Sequence, residues 1–462
     1  MSQTVRRAGA FALVSLLALV APVSPVVVDR LSLPTTVGAA AGVGSVPTTA
    51  VVTALPFALV ALAAFAVPED SPAFEWLARP ADFEEGRLYG LAGFALAAAA
   101  LGLVGASFEL PTSVYVASVV LLAFGTLAEK GVFELSSDRF AAMTGFAFAA
   151  FGAATLAQLV VAVLSPVAFD PPQAVFLAAT GGILGALLRS MLYDRDDPLV
   201  VITTALVLWL FATLTLELTA TQVVVAILIS LALGYVSYAL ETASITGMLT
   251  GTLLVFLSVV LGSYGWFAVL LSFFAIGGLS TKFRYDEKLD RGIAEENEGA
   301  RGSGNVIANS AAALVALLGW AAHGLLGVPQ GVFLFAFAGS VAAAMSDTLS
   351  SEIGGLYDNP RLITTFRTVP PGTDGGVTWQ GGLAGLAGAG IVAAVAFVAF
   401  GLSSTGTGLV VLAGVCGMVV DSLLGATVEG SLLDNKGVNF VATTVAGVVG
   451  AGLAWALALV PL

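Results

Sequence analysis

The stretch SDTLSSEIGGLYDNPRLITTFRTVPPGTDGGVT, Ser346–Thr378, starts inside an apolar run and leaves it through a dense series of polar groups. Asp347 stands at a depth where lipid excludes a bare charge. Glu352, Arg361 and Arg367 follow, and Pro370-Pro371-Gly372-Thr373-Asp374-Gly375-Gly376 closes the series. Polar groups at membrane depth or at its rim are costly and mark sites that do something. This reading requires the apolar runs on either side to be membrane spans.

Composition supports that requirement. The chain has 462 residues, of which 58% are hydrophobic and 10% charged, with a mean hydropathy of +0.99. Soluble domains carry about 25% charged residues. Backbone groups cannot stay unpaired in lipid, so spans are helices or closed barrels. The apolar runs are about 17–25 residues long, the length of spanning helices, and they lack the alternation of barrel strands. The formal net charge of −13 excludes nucleic acid as a partner. Acids recur in loop after loop (Glu69 to Glu85, Asp194 to Asp197, Asp286 to Glu298), which reads as adaptation of a halophile to high salt. A single cysteine, Cys416, leaves no intramolecular disulfide.

Apolar runs lie near 1–23, 50–67, 88–106, 110–128, 140–164, 173–192, 198–216, 222–240, 243–262, 265–281, 305–326, 330–347, 380–402, 407–427 and 438–460. The expected fold is therefore an all-α polytopic membrane protein of about 15 transmembrane helices. With Arg6 and Arg7 in the cytoplasm, every connection from an even to an odd helix is also cytoplasmic. Of the 17 basic residues, all but Arg30 then fall on that side. The N-terminus is expected in the cytoplasm and the C-terminus outside the cell membrane. The chain divides near 220, into a region 1–220 of about seven helices and a region 221–462 of about eight. In the first the loops are acidic and the helices hold few polar groups; in the second every cytoplasmic loop carries a dense polar cluster. The glycines of the 381–390 run read as helix-packing positions.

Four clusters share the cytoplasmic face. In the first, Arg301, Asn305 and Asn309 recur every four residues and so share one helix face. Asparagines on an apolar helix need partners, from a neighbour or a ligand. In the second, Asp347 aligns with Ser351 and Thr348 with Glu352. Such oxygen-rich stripes suit Mg2+ or Mn2+ together with phosphate oxygens; the alternative is a structural carboxylate paired with Arg361 or Arg367. In the third, Arg361 and Arg367 offer forked donors to phosphate. The Gly372-Thr373-Asp374-Gly375-Gly376 loop lets backbone N–H groups converge on an anion. No Walker A pattern is present. In the fourth, Asp421 lies late in a helix and needs a partner such as Lys436, Arg301 or a metal, while Asn439 repeats the polar-on-apolar theme. Together these residues describe a cytoplasm-facing site for a phosphorylated ligand.

Five ordered motifs carry a resemblance. GARGSGNVIAN (299–309), SDTLSSEIG (346–354), PRLITTFRTVPPGTDGGVT (360–378), DSLLGA (421–426) and NKGVNFVATT (435–444) resemble the integral membrane family known as domain of unknown function ninety-two. That family includes the chloroplast phytyl-phosphate kinase. The similarity covers roughly residues 222–462, and this chain adds about seven helices before it. The resemblance implies phosphoryl transfer from a nucleoside triphosphate, CTP by preference, to an isoprenyl monophosphate such as phytyl or geranylgeranyl phosphate. On that reading Asp347, with Glu352 and Asp421, holds the metal. Arg361, Arg367, Lys436 and residues 372–376 neutralise phosphates. Asn305, Asn309 and Asn439 orient the ligand, and Arg301 belongs to the catalytic group. Two other readings share the same chemistry: a transporter or flippase of a lipid phosphate or small anion, and a nucleotidyltransferase making a CDP-lipid. The helix count suits transport, whereas motifs confined to one face, without an internal repeat, do not.

Overall fold

The computed structural model describes residues 2–38, 45–294 and 302–460. Among the described residues, 15 helices are long and apolar enough to cross a membrane. The expectation of an all-α polytopic membrane fold holds. Two short antiparallel pairs of two-residue strands, Thr36–Val37 with Val46–Pro47 and Arg361–Leu362 with Gly376–Val377, supply the β-structure of the described residues. The chain forms two compact units, Met1–Val223 and Val224–Leu462.

The first unit contains α1 (Gln3–Arg30), α2 (Thr48–Ala66), α3 (Tyr89–Ser107), α4 (Thr112–Ser136), α5 (Arg139–Leu164), α6 (Pro171–Met191) and α7 (Asp194–Thr213). Helix α1 tolerates Pro25 because the Ser24 hydroxyl donates to the Ala21 carbonyl at 2.8 Å. That carbonyl is the one that the missing Pro25 N–H would have bonded. Close packing rests on small residues. A Cβ at Gly182 of α6 would lie 2.8 Å from the Ala147 carbonyl oxygen of α5. At one end of the unit, buried Arg189 bonds Glu129 at 3.0 Å, Asp197 at 3.4 Å and also Asp194. Arg79 reaches Asp197 at 2.6 Å. These buried charges are mutually satisfied, as burial demands.

In the second unit α8 (Ala220–Ala239), which carries the boundary, is followed by α9 (Ile245–Gly262) and α10 (Tyr264–Lys282). Then come α11 (Ser303–Ala321), α12 (Gln330–Gly354), α13 (Trp379–Phe400), α14 (Ser404–Gly425) and α15 (Asn435–Ala456). Helix α12 is the axis, packed by α10, α11, α13, α14 and α15. Its middle is a run of small residues, with Ala342, Ala343 and Ala344 buried. Glycines on the partners permit this approach. A Cβ at Gly381, Gly385 or Gly388 of α13 would lie 2.8–2.9 Å from the α12 carbonyl oxygens of Ser350, Ser346 and Met345. The Ser346 hydroxyl donates to the Gly385 carbonyl at 2.9 Å. Thr378 then ties the two helix ends together. Its hydroxyl donates to the Gly354 carbonyl at 3.3 Å and accepts from Gly381 N–H at 3.1 Å, capping α13.

Candidate functional site

Helices α12 and α14 end beside each other. Asp347 lies on α12 about two turns before its end, roughly 10 Å of helix rise, and Asp421 lies about one turn before the end of α14. Their carboxyl groups meet within hydrogen-bonding reach. The second oxygen of Asp421, Oδ2, is buried and has no hydrogen-bond partner among the described residues. In sequence, Asp347 and Asp421 are expected around one metal, with Lys436, Arg301 or a metal as the partner of Asp421; the direct contact of the two carboxyl groups is what the structure adds.

Glu352, one turn beyond Thr348 on α12, has a different partner. Lys288 is 1% exposed. Its Nζ donates to the Ser280 carbonyl at 2.7 Å, to the Thr281 carbonyl at 3.3 Å and to the Glu352 carboxylate. The short helix Tyr285–Asp290 is thereby pinned to the end of α12. Arg291 adds a 3.0 Å bond to Asp358. Beside metal binding, the sequence left a structural carboxylate of this cluster to pair with Arg361 or Arg367; for Glu352 the structure supplies Lys288. Lys288 reads in sequence as one more loop cation, 64 residues from its partner, and nothing local signals its burial.

The connection between α12 and α13 forms a hairpin. Arg361 and Leu362 pair with Val377 and Gly376. Gly372 and Gly375 adopt φ +80 and +72, conformations open to glycine. Gly375 is also held close to α14: a Cβ there would lie 2.6 Å from the Ser422 carbonyl oxygen. The glycine loop is thus seated on the end of the helix that carries Asp421. Its N–H groups do not all converge. Thr373 N–H bonds the Pro370 carbonyl at 3.3 Å and Gly376 N–H bonds Thr373 at 2.9 Å, closing turns within the loop. Asp374 faces Glu429 in the connection between α14 and α15. Burial, then Asp374 and Asp434, raise the Glu429 carboxyl above its usual range, and a hydrogen bond from Asn435 partly offsets them.

The cations are free. Arg361 and Arg367 are exposed. Arg361 reaches the Phe366 carbonyl at 3.5 Å. Neither arginine, nor Lys436, forms an ion pair among the described residues. Lys436 lies against Gly304, whose Cβ would come within 2.9 Å of its Cε, so the start of α15 meets the start of α11. Asp434 caps α15, accepting from Gly437 N–H at 2.9 Å. Asn439 donates to Asn435 at 3.1 Å. Asn309 donates to the Asn305 carbonyl at 3.0 Å, and its buried Oδ1 has no hydrogen-bond partner among the described residues. Arg301 lies outside the described residues. The structure therefore joins the Asp347 helix, the Asp421 helix, the glycine loop and the starts of α11 and α15. Glu352 is engaged by Lys288.

These groups fit a hard divalent cation in one respect. Mg2+ takes one or two carboxylates and completes its octahedron with water and phosphate oxygens. Asp347 and Asp421 supply two carboxylates, one with a buried oxygen that no donor among the described residues reaches. Among the described residues no cluster of three or more acidic, histidine or cysteine side chains forms a closed cage.

Comparison with known proteins places this half of the chain. Residues 228–450 match the model of "Integral membrane protein DUF92". An uncharacterized membrane protein of Methanocaldococcus jannaschii is 34% identical over 215 residues, covering 44% of this chain and 82% of the relative. Protein PGR of Arabidopsis thaliana is 33% identical over 268 residues, covering 48% and 92%. The chloroplastic protein VTE6 of Arabidopsis thaliana is 34% identical over 194 residues, covering 42% and 56%. No solved structure matches the chain. The aligned region holds the Asp347–Asp421 pair, the hairpin and the described polar residues of α11 and α15, and on this similarity the chain belongs to the DUF92 family of integral membrane proteins.

Proposed function

We propose that the chain is a membrane-embedded kinase that converts an isoprenyl monophosphate, such as phytyl or geranylgeranyl phosphate, to the diphosphate, with CTP as donor. The observation that carries this reading is the Asp347–Asp421 pair, in a unit whose hairpin and α15 carry Arg361, Arg367 and Lys436, which form no ion pair among the described residues. Paired carboxylates at membrane depth, in a unit that also offers such cations, suit a ligand that brings phosphate and metal together. The resemblance to a family that includes the chloroplast phytyl-phosphate kinase supports the same class.

Phosphoryl transfer depends mostly on positioning and charge neutralisation. Asp347 and Asp421 would hold Mg2+ or Mn2+, which would supply positive charge against the phosphate oxygens. Arg361 and Arg367 would take phosphate oxygens by forked hydrogen bonds, and Lys436 would add a point charge. Asn305, Asn309 and Asn439 would orient the acceptor from α11 and α15. The acceptor's phosphate oxygen attacks the γ-phosphorus, the β–γ bridge breaks and CDP leaves. A monophosphate is already an anionic nucleophile, so the site requires no strong general base. The isoprenyl tail would lie between helices, and the distribution of basic residues supports a cytoplasmic setting for this end of the second unit.

Purified protein incubated with CTP and geranylgeranyl phosphate tests the assignment. Label from the γ-phosphate in a lipid diphosphate supports it. Label from the α-phosphate in the lipid would instead identify a CDP-lipid transferase. Uptake into vesicles without turnover would identify a transporter.

A further inference from the structure

The tip of the hairpin between α12 and α13 carries Phe366 in a left-handed backbone conformation, with φ +54. Such a conformation is a genuine outlier for a bulky side chain, and it persists only where the surroundings impose it. Here the hairpin imposes it. Leu362 N–H bonds the Arg367 carbonyl at 2.9 Å, and Phe366 N–H returns to the Leu362 carbonyl at 2.8 Å. The result is a ring turned outward, 68% exposed, with no ring partner among the described residues. Its neighbours at the tip are not apolar. Thr364, Thr365, Arg361 and Arg367 are exposed beside it. The Arg361 guanidinium approaches the Phe366 carbonyl at 3.5 Å, which leaves most of its five donors uncommitted.

An exposed aromatic ring on a fixed backbone turn, flanked in the hairpin by two arginines that form no ion pair among the described residues, is suited to a ligand with one flat ring and a run of phosphates. We infer that Phe366 is the platform on which the base of the nucleoside triphosphate stacks, while Arg361 and Arg367 hold its phosphates. This inference rests on the nucleotide-dependent reading above. Stacking is tolerant of base identity, because every base has a π-face. Phe366 therefore favours nucleotides over bare polyphosphate rather than one base over another.

The test uses the full chain in lipid nanodiscs, with CTP and inorganic tripolyphosphate as probes. Phe366→Gly removes the ring while keeping the backbone conformation open to glycine. CTP affinity is expected to fall roughly tenfold, with tripolyphosphate affinity unchanged. Phe366→Trp is expected to keep CTP affinity. The inference is overturned if Phe366→Gly leaves CTP affinity intact while the wild type binds CTP. It is also overturned if CTP and tripolyphosphate weaken together, which marks a structural role for the hairpin. An unchanged CTP affinity with a raised KM for the lipid phosphate makes Phe366 a membrane-facing anchor instead. A wild type that binds neither probe overturns the nucleotide reading itself, together with this inference.

Discussion

Asp347 on α12 and Asp421 on α14 bring their carboxyl groups within hydrogen-bonding reach, inside helices long and apolar enough to span a membrane. Side by side, two carboxylates repel, and the repulsion grows as the dielectric falls. A divalent cation between them turns that repulsion into ligation. Metal binding should therefore be visible as stability. Mg2+ at about a hundredfold excess over its Kd should stabilise the wild type by about 2.7 kcal/mol, read as a raised unfolding midpoint in nanodiscs. Asp421→Asn should lose the Mg2+ shift. In metal-free buffer it should be at least as stable as the wild type, because the clash is gone. A variant that keeps the full shift would remove Asp421 from the metal site.

Lys288 and Glu352 form a buried pair, with side chains 2% and 11% exposed. Removing one partner leaves an uncompensated charge, which costs about 3–5 kcal/mol. Lys288→Met should lower the unfolding midpoint sharply. Adding Glu352→Leu should recover much of the loss, since an apolar replacement of both partners is often neutral. If Lys288→Met alone leaves the midpoint unchanged, the short helix is not pinned through this pair.

Arg361 and Arg367 should behave in the opposite way. Both are exposed and make no ion pair among the described residues, so Arg361→Gln and Arg367→Gln should leave stability nearly unchanged. A hydrogen bond to a charged group contributes about 1.5–3 kcal/mol, so each change should raise the KM for the triphosphate by roughly tenfold or more. Steady-state kinetics with varied CTP checks this, and an unchanged KM would take the arginine off the phosphates.

Glu429 predicts a pH effect. Its folded-state pKa is raised by burial and by Asp374 and Asp434. The folded state therefore holds the proton more tightly than the unfolded chain does. The stabilising contribution of the protonated form is complete below the usual glutamate pKa, about 4.3, and is lost as pH rises through the raised value. Glu429→Gln should be more stable than the wild type at neutral pH, with the difference vanishing at low pH. Unfolding midpoints of both proteins across this range measure it, and an equal midpoint at neutral pH would contradict the assignment.

The spans were legible because an apolar run of spanning length admits few structures, and the glycines of α13 were legible as packing positions. The polar motifs could be located as well. Their pairing was not readable. Helices rich in Ala, Gly, Leu and Val do not encode which neighbour each one meets, so the junction of Asp347 with Asp421 emerges only from the packing of α12 against α14. Which loop N–H groups are open to an anion was unreadable for a related reason. Pro370 and Thr373 accept from the loop itself, and spacing alone does not distinguish an anion nest from a closed turn. Lys288 looked solvated because its partner lies on another helix.

The central claim is that the Asp347–Asp421 junction supports phosphoryl transfer. It is tested most directly by the rate at which γ-labelled CTP labels geranylgeranyl phosphate, measured on wild type, Asp347→Asn and Asp421→Asn in nanodiscs at equal folded protein. The account predicts a wild-type rate that requires Mg2+ or Mn2+ and falls by about a hundredfold or more in either variant. A variant that transfers phosphate at the wild-type rate would contradict it.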